Sequence, residues 1–137
     1  MEGGIKELSL YRLSRAKEDL DSSRKLLEAG ELRLSLNRSY YAIFHAMRAV
    51  NALDEFDSSK HSGVIAHFNR EHVKTGDFPK NVSRMITEAM EIRQRADYED
   101  FFVASKSDAE NQLANAVQVI SLVDQYLTQR FLPVSSS

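Results

Sequence analysis

The run Asn37-Arg38-Ser39-Tyr40-Tyr41-Ala42-Ile43-Phe44-His45-Ala46-Met47-Arg48-Ala49-Val50 constrains the fold more than any other stretch, because its spacing suits a helix with two distinct faces. At about 100° per residue, Leu36, Tyr40, Ile43, Met47 and Val50 share one stripe, the pattern of a helix that buries one side. Arg38, Tyr41 and His45 fall roughly opposite, with Arg38 and His45 stacked on one side and separated by about 10 Å of rise. Beside them stand Ala42, Ala46 and Ala49, small enough to let another surface come close. An ordinary solvent face would carry Lys and Glu instead. The spacing therefore predicts that this polar face is covered by more of the chain, by a second copy, or by a ligand.

A chain of 137 residues has the length of one domain and can bury a core without disulfides. With 42% hydrophobic and 28% charged residues and only two prolines, it reads as a soluble, helix-rich domain. The absence of cysteine excludes a disulfide framework, a thiol nucleophile and a thiolate metal site. No run approaches the roughly 20 apolar residues of a membrane span, and Met1-Glu2-Gly3-Gly4 lacks a secretory pattern, so a cytoplasmic location is expected. A formal charge of −2 argues against non-specific coating of nucleic acid and leaves room for a local basic pocket.

Five helical segments follow from the periodicity. The first is expected from about Lys6 to Glu28, with Leu13, Ala16, Leu20 and Leu27 inward and Gly30 as its terminating glycine. The second spans about Leu32 to Leu53, and a third, capped by Ser58 or Ser59, runs to about Glu71. Gly63 either weakens that third segment or admits a close neighbour. Pro79 opens a fourth, with Val82, Met85, Ile86, Ala89, Ile92 and Ala96 inward. Ser107 and Glu110 form a candidate capping box for the last helix, whose stripe is Ala109, Leu113, Ala116, Ile120, Val123 and Leu127. The expected fold is all-α, an antiparallel up-and-down four-helix bundle with one short extra helix, in a single domain ordered over about residues 5–131 with a tail at 132–137.

Arg93 is the anomaly of the fourth helix, since it shares the stripe of Ile86 and Ala89. A guanidinium in an apolar seam is costly unless paired or wet. Asp97, one turn on, can pair with it structurally; alternatively Arg93 lines an anion site with Arg38 and His45. No metal centre is expected, because the four histidines form no i,i+4 pair and no Glu-x-x-His motif. His67 and His72 are read as exposed, and Tyr40 as packing. No cofactor is implied, since Lys74-Thr75-Gly76 lacks the glycine spacing of a phosphate loop.

Asn37 to Ala46, Lys60-His61-Ser62-Gly63-Val64-Ile65, Lys74-Thr75-Gly76 and Arg93-Gln94-Arg95-Ala96-Asp97-Tyr98 together resemble the HEPN domain family, and within it the small single-domain prokaryotic UPF0332 group. The resemblance covers nearly the whole chain. It implies a helical bundle that forms a homodimer, with polar residues of both copies at a cleft that takes RNA or a nucleotide. Members often act as metal-independent ribonucleases, many of them toxins neutralised by a nucleotidyltransferase partner, while others are non-catalytic nucleotide-binding or interaction modules. Nuclease members carry an Arg followed a short way on by a His on a late helix. Here Arg93 is followed by Asp97 and Tyr98, with no His, while Arg38 and His45 have the spacing on the second helix.

Metal-free RNA cleavage needs a base for the ribose 2′-hydroxyl, an acid for the leaving 5′-oxygen and a cation for phosphate charge. His45 and His61 are the candidates for proton transfer, and Arg38 and Arg93 for phosphate. Tyr41 or Tyr98 could orient a base or ribose, and Lys60 could add charge at the rim. The competing reading makes His45 an interhelical hydrogen-bonding residue and His61 plain surface.

Overall fold

The computed structural model describes residues 2–132, and among them every regular element is helical. Four long helices, α1 (Glu2–Glu28), α2 (Leu32–Asn51), α4 (Lys80–Tyr98) and α5 (Lys106–Arg130), form an all-α bundle with the short α3 (His61–Phe68) set beside it. Of the expected tail at 132–137, residues 133–137 lie outside the described residues.

The second helix is the centre of the bundle, because it packs against α1, α3, α4 and α5. Its predicted stripe is fully committed: Leu36, Tyr40, Ile43, Met47 and Val50 are all buried. So are Ala42, Ala46 and Ala49, which corrects one of the alternatives for that polar-and-alanine face. The alanines receive α1 of the same chain. Ser9 Oγ donates to the Ala49 carbonyl at 2.7 Å, and Ser23 Oγ meets Ser35 and Ser39 Oγ at 3.0 and 2.7 Å, fixing α1 antiparallel to α2. Small side chains on both helices permit that approach.

The inner face of α1 departs from the expected apolar stripe. Leu13 and Ala16 are buried, whereas Leu20 and Leu27 are only partly so, and Ser9, Arg12, Asp19 and Ser23 are buried with them. Positions 9, 12, 16, 19 and 23 repeat in steps of three and four, so the seam has helical spacing while hydrogen bonds replace much of its hydrophobic packing. Arg12 Nη1 donates to the Arg48 carbonyl and its Nη2 to Asp57.

The ends of the elements differ from expectation in instructive places. Gly30 (φ 77°) does close α1: its N–H reaches the Leu27 carbonyl and that of Glu31 the Leu26 carbonyl, the paired bonds of a Schellman ending. Helix α2 ends at Asn51 and tightens into a 3₁₀ turn, Ala52–Asp54. Neither Ser58 nor Ser59 caps α3; Lys60 is the N-cap, because Ser58 Oγ is spent on the Lys60 N–H within the preceding turn. For α5 the cap is Ser105, whose Oγ accepts from the Asp108 N–H at 2.9 Å, in place of the Ser107–Glu110 box.

The largest correction concerns His67 and His72, which are buried rather than exposed. Helix α3 runs on into a π-helical turn, Asn69–Val73, which places residues five apart on one side of the helix. An α-helical reading cannot bring those two rings together.

Candidate functional site

Tyr41 organises the polar side of α2. Its ring has the Arg38 guanidinium 4.9 Å from its centroid and that of Arg93 at 5.5 Å, so α2 and α4 each contribute a cation to one aromatic ring. Arg93 Nη2 also donates to Tyr41 Oη at 3.2 Å, and the same guanidinium lies 5.0 Å from the Tyr40 centroid. His45 and His61 rings stand 6.2 and 5.9 Å from the Tyr41 ring. Four residues singled out in the sequence, Arg38, His45, His61 and Arg93, thus gather around the phenol of a fifth, Tyr41.

Each charged member is held by a neighbour. Arg38 donates through Nη1 to Asp19 Oδ1 at 3.1 Å and through Nε and Nη2 to Asn37 Oδ1. Arg93 Nε sits 3.1 Å from Asp97 Oδ2, so the expected i,i+4 pair is present, although the buried Nε–H lacks the alignment of a hydrogen bond. Asp19 is the member that an apolar-stripe reading of α1 missed. Its side chain is 11% exposed, and Oδ2 has no hydrogen-bond partner although it faces His45 Nε2 at 3.6 Å. Asp19 lies two turns beyond Arg12 on the buried face, a relation that the burial of Arg12 in the folded seam reveals.

The two imidazoles are tuned toward their neutral forms. Burial pushes the His45 pKa below 6.5; Asp19 opposes the shift, and Arg15, Arg48 and Arg38 add to it. Burial also lowers His61, with Arg93 and Arg48 acting in the same direction. Tyr40, fully buried, has its phenol pushed up to about 12 by desolvation, partly offset by Arg93, so it remains a neutral hydroxyl 2.9 Å from His61 Nδ1. When the phenol donates, Nδ1 accepts and the proton of the neutral His61 ring sits on Nε2. Tyr40 is therefore packing, as expected, with an added positioning contact.

The adjoining depression, about 530 Å³ and open to solvent, is lined by Phe44, Arg48, Asp57, Ser58, Ser59 and His61. His61 alone belongs both to that depression and to the Tyr41 cluster, so the depression flanks the cluster at that ring. Asp57 holds the wall of the depression by accepting from Arg12 and Arg48 at 3.2 and 3.0 Å. Lys60 is exposed, and Tyr98 is 76% exposed; among the described residues neither side chain makes a hydrogen bond that joins it to the cluster. Phe44 was not anticipated, yet its ring lies 4.1 Å from that of His61 and forms an apolar floor.

An all-α bundle with paired guanidinium, phenol and imidazole groups on its central helix defines a class of small helical domains with a polar face. A model of the HEPN domain matches residues 9–126, and the chain belongs to the HEPN domain family. A UPF0332 protein of Thermotoga maritima is 32% identical over 117 residues, covering 85% of this chain and 89% of that relative. A Methanocaldococcus jannaschii protein named "Putative toxin" is 28% identical over 118 residues, 86% of this chain and 80% of that one. The crystal structure of an archaeal HEPN homologue superposes with a TM-score of 0.69 at 14% identity, covering 87% of this chain and 97% of that one, a likeness of fold.

Proposed function

We propose that this HEPN protein binds RNA or a nucleotide across the Tyr41 face and cleaves RNA without a metal, as the toxin of a pair with a nucleotidyltransferase. The observation that carries the reading is the convergence of Arg38, Arg93, His45 and His61 on one phenol. Both guanidinium groups keep donors unspent by Asp19, Asn37 and Tyr41, and these suit phosphate oxygens. A neutral His45 beside the orphaned Asp19 oxygen suits a base, because the carboxylate stabilises the imidazolium formed when the ring takes a proton. His61 suits the donor to the leaving oxygen in its imidazolium form, with Nδ1–H donating to the Tyr40 oxygen and Nε2–H free, so that giving up the proton returns the neutral ring. In that reaction the ribose 2′-oxygen bonds to phosphorus, its proton passes to His45, and the 5′-oxygen leaves with a proton from His61. The products are a 2′,3′-cyclic phosphate and a 5′-hydroxyl. A symmetric dimer, as the family resemblance implies, would cover the Tyr41 face through a surface other than the buried alanines; sedimentation at micromolar concentration reads it directly.

The test is incubation of purified, partner-free protein with RNA in excess chelator. The expected result is cleavage with cyclic-phosphate ends, lost in His45→Ala by about 100-fold or more if general-base catalysis is removed. A folded sample that leaves RNA intact overturns the catalytic reading. A second reading, a binding module without turnover, is favoured by one feature: Arg93 is engaged by Asp97 where nuclease members carry a His. Titration with mononucleotides separates the two, since binding without cleavage, weakened in Arg38→Ala and Arg93→Ala, supports the module alone.

A further inference from the structure

A second cluster lies at the far end of α2 and the π-helical turn, separate from the Tyr41 group. His67 Nε2 and His72 Nε2 both point at one oxygen, Asp54 Oδ2, at 2.9 and 2.6 Å. Asp54 closes the 3₁₀ turn after α2, and the left-handed Glu55 (φ 54°) that follows turns the chain back. That reversal lays Phe56 flat on the His67 ring, centroids 3.9 Å apart and planes within 4°. The other nitrogen of His72, Nδ1, faces Asp77 Oδ2 at 3.0 Å, and Asp77 is held in turn by Tyr126 Oη at 3.2 Å. Phe68 and Tyr126 complete an aromatic wall around His72.

These contacts have the form of a metal centre and its supporting shell. Carboxylates only accept hydrogen bonds, and each ring nitrogen of His72 faces one, so a neutral ring satisfies one of them and leaves the other facing a lone pair, a conflict that either a second ring proton or a metal ion resolves. A cation between Nε2 and Asp54 removes that conflict and leaves Nδ1–H to donate to Asp77, the carboxylate–histidine–metal arrangement that fixes tautomer and ring orientation. We propose that Asp54, His67 and His72 bind a divalent ion of the zinc class, with water at the fourth position. Two imidazoles and one carboxylate are the donor set that suits zinc and disfavours magnesium. All three ligand atoms lie within 4.8 Å of one another. Tetrahedral zinc with bonds of about 2.0–2.1 Å separates its donors by roughly 3.3 Å, so Asp54 Oδ2 has to draw back by roughly 0.4 Å from His67 Nε2 and about 0.7 Å from His72 Nε2 while the two imidazole nitrogens, within 4.8 Å, close toward the same spacing. The Asp54 side chain is 34% exposed, which gives the ion and its water a path from solvent. One contact must yield: Arg70 Nη2 lies 3.4 Å from His67 Nδ1, which carries the proton once Nε2 is a ligand. Arg70 is on the surface with Glu71 as an alternative partner, so it can swing away.

The π-helical turn gives the proposal a second support. Single-turn π segments are uncommon and tend to occur where a side chain must be re-aimed. Here the turn sets residues 67 and 72 side by side, which an uninterrupted α-helix would not do. The ion would tie the end of α2, α3 and the segment leading into α4 at one point, independently of what happens at the Tyr41 face.

The experiment uses the full chain, stripped with chelator and exchanged into metal-free buffer. Titration with Co²⁺ is expected to produce the visible absorption of a tetrahedral nitrogen–oxygen site at one equivalent, displaced by Zn²⁺ and unaffected by excess Mg²⁺. Zn²⁺ should also raise the melting temperature of the native chain, and Asp77→Asn should weaken Zn²⁺ binding about 10- to 100-fold by loosening His72. His67→Gln and Asp54→Asn should abolish the Co²⁺ band while circular dichroism reports whether the fold is kept. A folded native chain that takes up no stoichiometric Zn²⁺ or Co²⁺ overturns the site. So does binding that survives unchanged in folded His67→Gln and Asp54→Asn.

Discussion

At the level of single side chains, the polar face of α2 works by opposing fields on His45. Burial and three arginines disfavour the imidazolium, and Asp19 alone favours it. Removing each neighbour should therefore move the titration in a predictable direction. Asp19→Asn takes away the one stabilising charge and should lower the His45 midpoint below its native value. Arg38→Gln takes away a repelling charge and should raise it. Proton–carbon NMR of the His45 ring through a pH series distinguishes the pair, and shifts of the same sign in both variants would disprove the assignment. Arg38→Gln also frees Asp19 Oδ1, so its expected shift includes the full attraction of an unshared carboxylate. The residues of this face were legible because Arg38, Tyr41 and His45 stand out against an apolar stripe. Asp19 was not, because acidic side chains on α1 are common and only the folded seam distinguishes it from its exposed neighbours Glu18 and Asp21.

Among whole elements, what distinguishes α1 is that polar contacts hold it to the bundle centre. Ser23 Oγ lies within hydrogen-bond distance of the Ser35 carbonyl and of the Ser35 and Ser39 hydroxyls, all buried. Ser23→Ala removes the hydroxyl that the Ser39 hydroxyl and the Ser35 carbonyl meet, while Ser35 Oγ keeps the backbone carbonyl of residue 23, and should destabilise the fold by about 1–3 kcal/mol, measured by urea denaturation. Gly30→Ala tests the ending of the same helix. A Cβ there meets nothing within 4 Å, so the cost comes from the left-handed backbone at φ 77° and should be about 1–2 kcal/mol. A neutral outcome at position 30 would mean that the ending relaxes to another conformation. Helix existence and the glycine stop could be read from periodicity, since both are local. The serine seam and the caps could not, because Ser58, Ser59, Ser105 and Ser107 are equivalent candidates in the chain and their hydroxyl partners are chosen by tertiary placement. His67 and His72 were misread for a related reason: a five-residue spacing has meaning only in a π-helical turn, which periodicity does not announce.

Taken over the whole molecule, the groups with shifted pKa values divide acid sensitivity into two ranges. His45 and His61 have folded pKa values below the 6.5 of the free side chain, so the unfolded chain binds more protons as pH falls past that value. Their contribution to stability is complete above about 6.5, is lost progressively below it, and levels off once pH passes the folded values. Asp57 behaves differently: burial acts to raise it, but hydrogen bonds and charge from Arg48, the Ser58 N–H and Arg12 prevail, and the net shift is downward from 3.8. Its contribution is complete above 3.8 and lost only as pH falls through its folded value. Urea midpoints of chelator-treated protein between about pH 7.5 and 5.5 should therefore fall with acid, with a second decline below about pH 4. His45→Asn combined with His61→Asn should flatten the first decline and leave the second in place. A slope between pH 7.5 and 5.5 that is unchanged in the folded double variant would show that these rings are as free to protonate in the bundle as in the open chain, and would remove the electrostatic basis for a neutral base on the Tyr41 face.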